Sequence, residues 1–335
     1  MLITPANLSF FFTDLETRYW TAYRAADPWQ SKIATVYNVG TEQWVSGWIG
    51  MLRVYREWLG PRKTQQPAPQ TYLVPIKNWE LTEEIDEFKL ADDQMGIYMP
   101  TVSFMGIQAK KLWDYKTRDL LQNQGSMTGG FQNGTDGLTY FNTAHLVNVY
   151  DSTLGTYCND YRGGVSVSGT TVGGGFSTNG FNTVWEDHAA RKSESGENLG
   201  IVPDLSMGPL QLKAAMSTVL QAQFYSPPQM GGLGSGTGAN AAMVGNMDNP
   251  LKGWTDLFTN PDLTNANDWY MWTTKAPIKP ISMLLRLAPD FIPRVTPNDA
   301  IVFNEHKILY GSKARGTPAW GFSWLGSIDG PVAGA

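Results

Sequence analysis

The chain has 335 residues, a formal net charge of -5, and a composition that is 42% hydrophobic and 16% charged. This hydrophobic content can bury a core in one large domain or two smaller ones, which excludes disorder as the overall state. No run of Lys or Arg supplies the basic surface that tight nucleic-acid binding requires. The 35 glycines and 20 prolines favour strands and turns over a helical bundle, so we expect a mixed α and β fold.

The N-terminal segment, residues 1 to 44, is rich in aromatic side chains and has to pack against something. It has no basic start, and Asp14, Glu16 and Arg18 interrupt the apolar run directly after three consecutive phenylalanines, so it is not a secretion signal. Nowhere does the chain approach the roughly 18 to 20 apolar residues that a membrane helix needs. We therefore expect a soluble chain with no membrane segment.

Residues 51 to 80 are predicted to form one long hairpin. "WVSGWIGMLRVYREW" alternates loosely as a strand does, and "TYLVPIK" is again rich in β-forming residues. Between them "GPRKTQQPAP" forms a polar, proline-rich tip. Pro75 indicates an edge position, because proline cannot donate a ladder hydrogen bond.

We expect a solvated face, not paired catalytic carboxylates, for the acidic run that follows the hairpin: Glu83, Glu84, Asp86 and Glu87.

The clearest helix pattern lies at residues 100 to 124. Asp92 and Asp93 suit its start, Pro100 suits a first-turn position, and Gly125 suits a C-terminal stop. Between them one stripe recurs at spacings of three and four, with a single polar member: Val102, Met105, Ala109, Leu112, Lys116 and Leu120.

A second helix is predicted at residues 206 to 224, where Ser206 can cap the first turn and Pro209 fits inside it. Its apolar stripe consists of Leu212, Ala215, Met216, Val219 and Ala222. Residues 126 to 200 are rich in Gly, Ser, Thr and Asn, and they fit either a meander of short strands or a mobile surface loop. From Trp269 onward the sequence becomes strand-like.

No residue pattern predicts a metal site or a catalytic centre. The three histidines lie far apart and outside the ordered zinc motifs. We expect structural hydrogen bonds at His145 and His306 and a solvated turn at His188. Cys158, the single cysteine, cannot form an internal disulfide, so we expect a packed side chain and a reducing compartment.

One glycine-rich segment matches a cofactor motif in isolation. "GSGTGA", Gly234 to Ala239, fits the dinucleotide pattern, and Asp256 follows about twenty residues beyond its second glycine. The motif needs a buried strand before it, whereas "FYSPPQM" contains two prolines. A cofactor-dependent enzyme is therefore a minor hypothesis, which predicts that the isolated chain binds nucleotide.

"GFSWLG" misses the Gly-x-Ser-x-Gly nucleophile elbow by one residue and is predicted to be a strand. We predict no cofactor.

Several stretches together resemble one family. "KIATVYNVGTEQWVSGWIG", "YREWLGPRKTQQ", "DDQMGIYMP" and "DGLTYFNTAH" are similar, in order and spacing, to the major head subunit of Mu-like tailed bacteriophages. "NPLKG", "DWYMWTTKAPIKPI" and "PNDAIVFNEHKILYGSKARG" continue the resemblance, which extends from about Lys32 to Gly316. It implies an α+β chain with the tailed-phage major capsid fold, which is also seen in encapsulin shells and in the floor of herpesvirus capsids.

The resemblance also implies a division of the chain. The Gly-rich runs 163–180 and 231–240 depart from the family pattern within the axial region. No scaffold segment is expected ahead of the arm. The implied parts are an extended N-terminal arm at 1–44, an extended β-hairpin loop at 45–82 that lies across a neighbouring subunit, a peripheral domain with the spine helix at 83–145, an axial domain at 146–283, and return strands of the peripheral domain at 284–335.

The loop and the arm supply the candidate intersubunit contacts. At the loop tip Tyr55 and Trp58 are the better candidates, because large aromatic side chains dominate buried contacts. Three basic residues there either pair with acidic residues of a neighbour or stay solvated: Arg56, Arg62 and Lys63. The candidates in the arm are Phe10, Phe11, Phe12 and Trp20.

The function that the resemblance implies is structural and not enzymatic. Many copies would form the hexamers and pentamers of an icosahedral head that encloses double-stranded DNA without sequence-specific binding. The implied partners are a separate scaffold, a maturation protease, a portal and an optional decoration protein, with assembly in the host cytoplasm and a final place in the virion. An encapsulin-like compartment shell is the alternative, because a fold alone does not fix the cargo.

Overall fold

The computed structural model describes residues 5–48, 70–92, 96, 98–123, 137–148, 152–167, 169–225, 247–294 and 306–331. The helices within these ranges are α1 Pro5–Ala25, α2 Glu87–Asp92, α3 Tyr98–Gln122, α4 Thr178–Ala189 and α5 Lys213–Leu220. The strands are β1 Ala34–Asn38, β2 Gln43–Trp48, β3 Gln70–Pro75, β4 Asn78–Asp86, β5 His145–Leu146, β6 Thr156–Tyr157, β7 Ser166–Val167, β8 Thr170–Thr171, β9 Leu205–Pro209, β10 Phe224–Tyr225, β11 Met247–Asp248, β12 Asp256–Asn260, β13 Trp269–Trp272, β14 Ile281–Arg294, β15 Lys307–Trp320 and β16 Gly326–Asp329. None of the described helices is long and apolar enough to cross a membrane.

Two compact units make up the chain. The first contains Thr71–Leu121 and Ile281–Ala319 together with the chain before Gly47, and the second contains Gln122–Pro280 and the chain from Trp320. The units change over after residue 121, whereas the predicted peripheral domain ends at residue 145. The chain from Trp320 belongs to the second unit, because β16 pairs with β13, whereas the prediction placed it among the return strands. The division into the parts of a capsid subunit stays a prediction.

The first unit is built on a four-stranded sheet in the order β1-β14-β15-β4. β1 is parallel to β14, and β15 is antiparallel to β4. Alternate residues of these strands, such as Ile308 and Tyr310 in β15 and Ile85 in β4, join α1 and α3 in one hydrophobic core. Every second residue of the strands and one face of each helix thus point into the same core.

Helix α3 confirms the predicted long helix, and Pro100 lies in its first turn as predicted. The helix begins at Tyr98, however, and Asp92 is not at its start but is the last residue of α2. The predicted stripe holds from Val102 to Ala109 and again at Leu120, whereas Trp113 and Thr117 are buried in place of Leu112 and Lys116. Lys116 is correspondingly not in the core. Its Nζ lies 4.0 Å from the centre of the Trp79 ring.

Helix α1 corrects the prediction of an extended N-terminal arm. Residues Pro5–Ala25 are helical, and the aromatic run contributes to the first unit's own core. The two helices α1 and α3 lie very close together at Gly106, where a Cβ atom would lie 2.4 Å from the Tyr19 carbonyl oxygen. Only glycine fits at that crossing. The spacing of the buried residues Phe11, Leu15 and Tyr19, which lie four apart, is the helical pattern that the sequence interpretation overlooked.

The second unit holds a four-stranded sheet in the order β12-β9-β13-β16. Its central strand β9 corrects the helix predicted at 206–224, of which only α5, Lys213–Leu220, is α-helical. Every residue of β9 is buried between β12 and β13, and the Ser206 hydroxyl bonds the Thr255 hydroxyl at 2.8 Å where a helix cap was expected. Pro209 is tolerated because it stands at the strand's end.

The glycine-rich region between the two predicted helices contains short strands, where β5 pairs with β6 and β7 pairs with β8. It also contains α4, which was not predicted. The Ser177 hydroxyl caps α4 by accepting the Gly180 N–H at 3.1 Å. Phe181, Val184 and His188 form the buried side of α4, in the second unit's core with Trp269 and Met271.

Candidate intersubunit surfaces

The four aromatic residues predicted to contact a neighbour from the N-terminal segment divide into two groups. Phe11 and Phe12 are buried, at 8% and 3% exposure, in the core that α1 shares with α3 and the sheet. Their own chain covers them, which corrects the expectation that they pack on a neighbouring copy in this conformation. Phe10 is 76% exposed, and Trp20 is partly buried against the same core. For Phe10 and Trp20 the contact stays a prediction.

The base of the predicted loop is anchored on the first unit. β2 and β3 pair with each other, so Gln43–Trp48 and Gln70–Pro75 are the two strands at the base of a hairpin. The next strand, β4, belongs to the four-stranded sheet of the first unit. Trp44 stacks on Tyr37 with 5.9 Å between ring centres, and Val74 is buried in the same cluster. The five predicted tip residues, Tyr55, Arg56, Trp58, Arg62 and Lys63, lie outside the described residues.

The acidic run after the hairpin is divided among three roles. Glu84 forms an exposed ion pair with Lys307 at 3.2 Å, in agreement with the predicted solvated face. Glu83 accepts a hydrogen bond from the Tyr310 hydroxyl at 2.7 Å. Asp86 accepts the backbone N–H groups of Phe88 and Lys89 at 3.0 Å each, and thereby caps α2. These carboxylates stabilise local structure.

Large apolar side chains that stay exposed are the remaining candidates in the first unit. Phe88 on α2 and Phe104 on α3 are 61% and 65% exposed, comparable to Phe10. A phenylalanine buries on the order of 150–250 Å² when it is covered, so covering these rings contributes substantially to an interface. In the second unit the exposed apolar residues include Val202, Leu210 and Trp254. Single exposed apolar residues are ordinary, and they mark contacts only in a protein that assembles.

Two residues of the second unit with reactive side chains, Cys158 and His145, bond backbone carbonyl groups of the same unit. Burial raises the pKa of the Cys158 thiol to about 11, and its Sγ donates to the Asp160 carbonyl at 3.1 Å. His145 Nε2 lies 3.1 Å from the Tyr140 carbonyl oxygen, as predicted for a structural histidine. The described residues contain no group of three side chains that could hold a metal ion.

His188 corrects the predicted solvated turn. It is fully buried on α4, with Nδ1 2.9 Å from the Ser327 hydroxyl and Nε2 3.0 Å from the Thr273 hydroxyl. Burial, and secondarily the Arg191 charge, hold the pKa of His188 well below its usual range, so the ring is neutral at pH 7. The neighbouring Glu186 and Asp187 suggested solvent, whereas the helical period turns His188 inward.

Arg191, which no sequence pattern singled out, fastens the C-terminal strand of the second unit. Its guanidinium is almost fully buried and donates to the carbonyl oxygens of Trp324 at 2.7 Å and Gly326 at 3.1 Å. It also donates to the Ser327 hydroxyl at 2.6 Å and the Cys158 carbonyl at 3.1 Å. The arginine therefore holds β16 and the turn before it through three hydrogen bonds, and the fourth ties them to Cys158.

A family model and two curated relatives match the chain. The model described as "Mu-like prophage major head subunit gpT" matches residues 8–169 and 246–327, which is more than half of the chain. The major capsid protein of Escherichia phage Mu is 31% identical over 156 residues, covering 47% of this chain and 49% of that protein. The chain thus matches about half the length of the curated relatives.

Two solved capsids extend the similarity to the fold. The procapsid of bacteriophage JBD30 has a TM-score of 0.53 at 19% identity, covering 98% of this chain and 76% of that chain. The capsid of cyanophage P-SCSP1u has a TM-score of 0.54 at 8% identity, covering 92% and 89%. At these identities the likeness concerns the fold alone, and it confirms the predicted α+β fold of tailed-phage major capsid proteins.

Proposed function

This chain belongs to the Mu-like prophage major head subunit family, and from that premise we propose that it is the major capsid protein of a Mu-like tailed phage. The family is one of structural capsid proteins and not of enzymes. Many copies form the hexamers and pentamers of an icosahedral head, which encloses double-stranded DNA. The observation that carries the proposal is the family match over residues 8–169 and 246–327.

The two compact units fit the parts of such a subunit. In the proposal the first unit is the peripheral domain, with α3 as its spine helix, and the second unit is the axial domain at the centre of each ring. The hairpin that β2 and β3 begin is the extended loop, and α1 belongs to the N-terminal arm region. The loop lies across a neighbouring copy, which explains why a proline-rich tip is carried on two strand arms.

Contacts between copies follow from this arrangement. Tyr55 and Trp58 at the loop tip bury their rings on the neighbour, and Arg56, Arg62 and Lys63 pair with its acidic residues. Phe10 and Trp20 add apolar contacts from the N-terminal segment. Each contact can be weak, since a closed shell repeats it many times and the copies gain from being held together. Heterologous contacts that close by rotation produce the rings.

The acidic balance of the chain suits a container for DNA. A net charge of -5 gives no broad basic surface, so packaged DNA is enclosed without sequence-specific binding and can leave again. In the proposal a separate scaffold, a maturation protease, a portal and an optional decoration protein act on the subunit during assembly in the host cytoplasm. The family membership favours this role over an encapsulin-like compartment, and it gives no support to a nucleotide-dependent enzyme.

The test is electron cryo-microscopy of the full chain co-expressed with the scaffold gene that neighbours it. We expect closed shells with five-fold and six-fold rings, in which residues 45–82 of one copy cover the next. A discrete monomer or dimer under the same conditions would contradict the proposal. Binding of a dinucleotide by the isolated chain would instead favour the enzyme hypothesis.

A further inference from the structure

An excess of buried carboxylate charge surrounds the end of β16 in the second unit. Asp329 closes this strand and is 1% exposed, and Asp268, directly before β13, is 5% exposed. Asp160 pairs with Ile328 through an isolated β-bridge, which brings a third carboxylate beside the first two. The cation that contacts this group is Arg162. The described ion pairs of Arg162 reach two of the three carboxylates, Asp160 and Asp268.

Arg162 neutralises these three carboxylates unequally. Its Nε and Nη2 donate to the two carboxylate oxygens of Asp160 at 2.8 Å and 2.6 Å, a bidentate pair. Its Nη1 reaches Asp268 only at 3.7 Å, where the carboxylate also accepts the Asn265 amide at 2.7 Å. No ion pair with Arg162 joins Asp329 among the described contacts. The negative charge of Asp329 is therefore the least compensated of the three.

One oxygen of Asp329 lacks a hydrogen-bond partner. Oδ1 accepts the Gly330 N–H at 2.8 Å, whereas Oδ2 has no partner within the described part of the chain. The facing residue in the ladder is Trp269, whose buried indole N–H makes no hydrogen bond of good geometry there, although it lies near enough to the Asp329 carboxylate to favour the ionised form weakly. The N-terminus of α4 adds partial positive charge, since a Cβ on Gly180 would lie 3.5 Å from Oδ2.

A buried carboxylate without a compensating charge is neutralised by binding a proton. We propose that Asp329 and Asp268 form a proton-binding site at the end of β16, which is filled in the folded second unit at mildly acidic pH and is emptied as the pH rises. This site is independent of the shell contacts proposed above. It makes the attachment of β16 sensitive to pH.

The electrostatic directions agree with this geometry. Burial first, and then the charges of Asp160 and Asp268, raise the pKa of Asp329 to about 7, while the Gly330 N–H and Trp269 act in the opposite direction. Burial raises the pKa of Asp268 to about 6, although Arg162 lowers it. The α4 N-terminus favours the ionised form, and burial outweighs it.

The sign of the pH effect follows from these directions. In the unfolded chain both carboxyls release their protons near the ordinary pKa of 3.8, whereas the folded chain keeps them until pH 6 to 7. The stabilisation is therefore complete below the ordinary pKa and is lost as the pH rises through the folded values. Between these limits each retained proton makes the unfolding constant rise about tenfold per pH unit.

The test is urea unfolding of the full chain from about pH 5.5 to about pH 8.5, followed by tryptophan fluorescence. We expect the wild-type unfolding constant to rise with pH and to level off above about pH 7. Below about pH 6.5 the rise is less steep, because His188 is neutral in the folded chain and takes up a proton on unfolding, an effect that the wild type and both variants share. Asp329→Asn should remove most of that dependence. The matched control is Asp256→Asn, an exposed aspartate in the same unit, which should keep it.

A second measurement on the wild-type chain covers the case in which Asp329→Asn fails to fold. Infrared difference spectra between mildly acidic and mildly alkaline pH should show the carbonyl band of a protonated carboxylic acid that disappears as the pH rises. A native chain without that band, or a variant that keeps the full wild-type pH dependence, would overturn the proposal.

Discussion

At the scale of single residues, burial changes the chemistry of Cys158. The raised pKa of about 11 leaves the thiol about a hundredfold poorer in thiolate at pH 8 than a thiol with the ordinary value of 9.0. We expect iodoacetamide to alkylate the native chain at pH 8 about a hundredfold more slowly than the urea-unfolded chain. Because Cys158 is the single cysteine, labelling measured by mass spectrometry reports on it alone. Equal rates in the two states would contradict this assignment.

Arg191 offers a second test at this scale. Arg191→Met keeps much of the side-chain volume but removes four hydrogen bonds. The Cys158 carbonyl keeps the Tyr161 hydroxyl and the Ser327 hydroxyl keeps its contact with His188, whereas the Trp324 and Gly326 carbonyls lose the guanidinium donor. We expect the free energy of unfolding to fall by about 3 kcal/mol, because buried acceptors lose their partners. The measurement is urea unfolding at constant pH.

The matched control for that variant is Arg18→Met. Arg18 forms an ion pair with Asp14 at 3.0 Å, and both side chains are about half exposed. Its loss should cost about 0.5 kcal/mol or less. If the two variants were equally stable, the hydrogen bonds of Arg191 would not be what fastens β16.

At the scale of secondary-structure elements, the packing of α1 on α3 depends on one glycine. Alanine ordinarily stabilises a helix relative to glycine, but a Cβ on Gly106 would lie 2.4 Å from the Tyr19 carbonyl oxygen. Gly106→Ala should therefore lower the free energy of unfolding by about 1–3 kcal/mol. Gly174→Ala is the control, since a Cβ on Gly174 would meet no atom within 4 Å beyond its chain neighbours. The measurement is the thermal unfolding of both variants and of the wild type. A Gly106→Ala variant more stable than the wild type would contradict the close contact.

The same scale shows how much the sequence could reveal. Helix α3 was predictable because its apolar spacing, first-turn proline and length all agree. β9 was mistaken for a helix start, because Ser206 and Pro209 fit a capped helix as well as the end of a buried strand. Hydrogen bonding along both edges, which the paired strands β12 and β13 provide, decides between the two. Local sequence does not contain that information.

The candidate contacts were predictable only in part for a similar reason. The family resemblance gave the fold and the loop, but whether a given aromatic side chain faces its own core depends on the helical phase of α1. Phe11 and Phe12 face inward and Phe10 faces outward, although the three are adjacent in sequence. A run of identical residues gives no phase by itself. The buried Leu15 and Tyr19 further along the helix supply it.

At the scale of the whole molecule, the exposed Phe10 and the buried Phe12 allow the effects of a mutation on folding and on assembly to be measured separately. Phe10→Ser should leave the free energy of unfolding within about 0.5 kcal/mol of the wild type, because the ring is exposed. It should lower the yield of closed shells if Phe10 is covered by a neighbour. Phe12→Ala should instead cost about 3–5 kcal/mol, because the ring lies in the core.

Urea unfolding and sedimentation of the co-expressed shells measure the two effects separately. Shells that form from Phe10→Ser at the wild-type yield would remove Phe10 from the interface. A Phe12→Ala chain as stable as the wild type would show that the burial of Phe12 contributes little.

The discontinuous make-up of both units has a consequence for synthesis on the ribosome. β4 pairs with β15, and β13 pairs with β16, so each sheet needs a strand from the last part of the chain. While translation is still in progress, the aromatic residues of β13 lack their final partner strand and the edge of β4 stays open. Release of residues 307–329 from the exit tunnel therefore sets the earliest time at which either sheet is complete, and until then the open strand edges are exposed to aggregation.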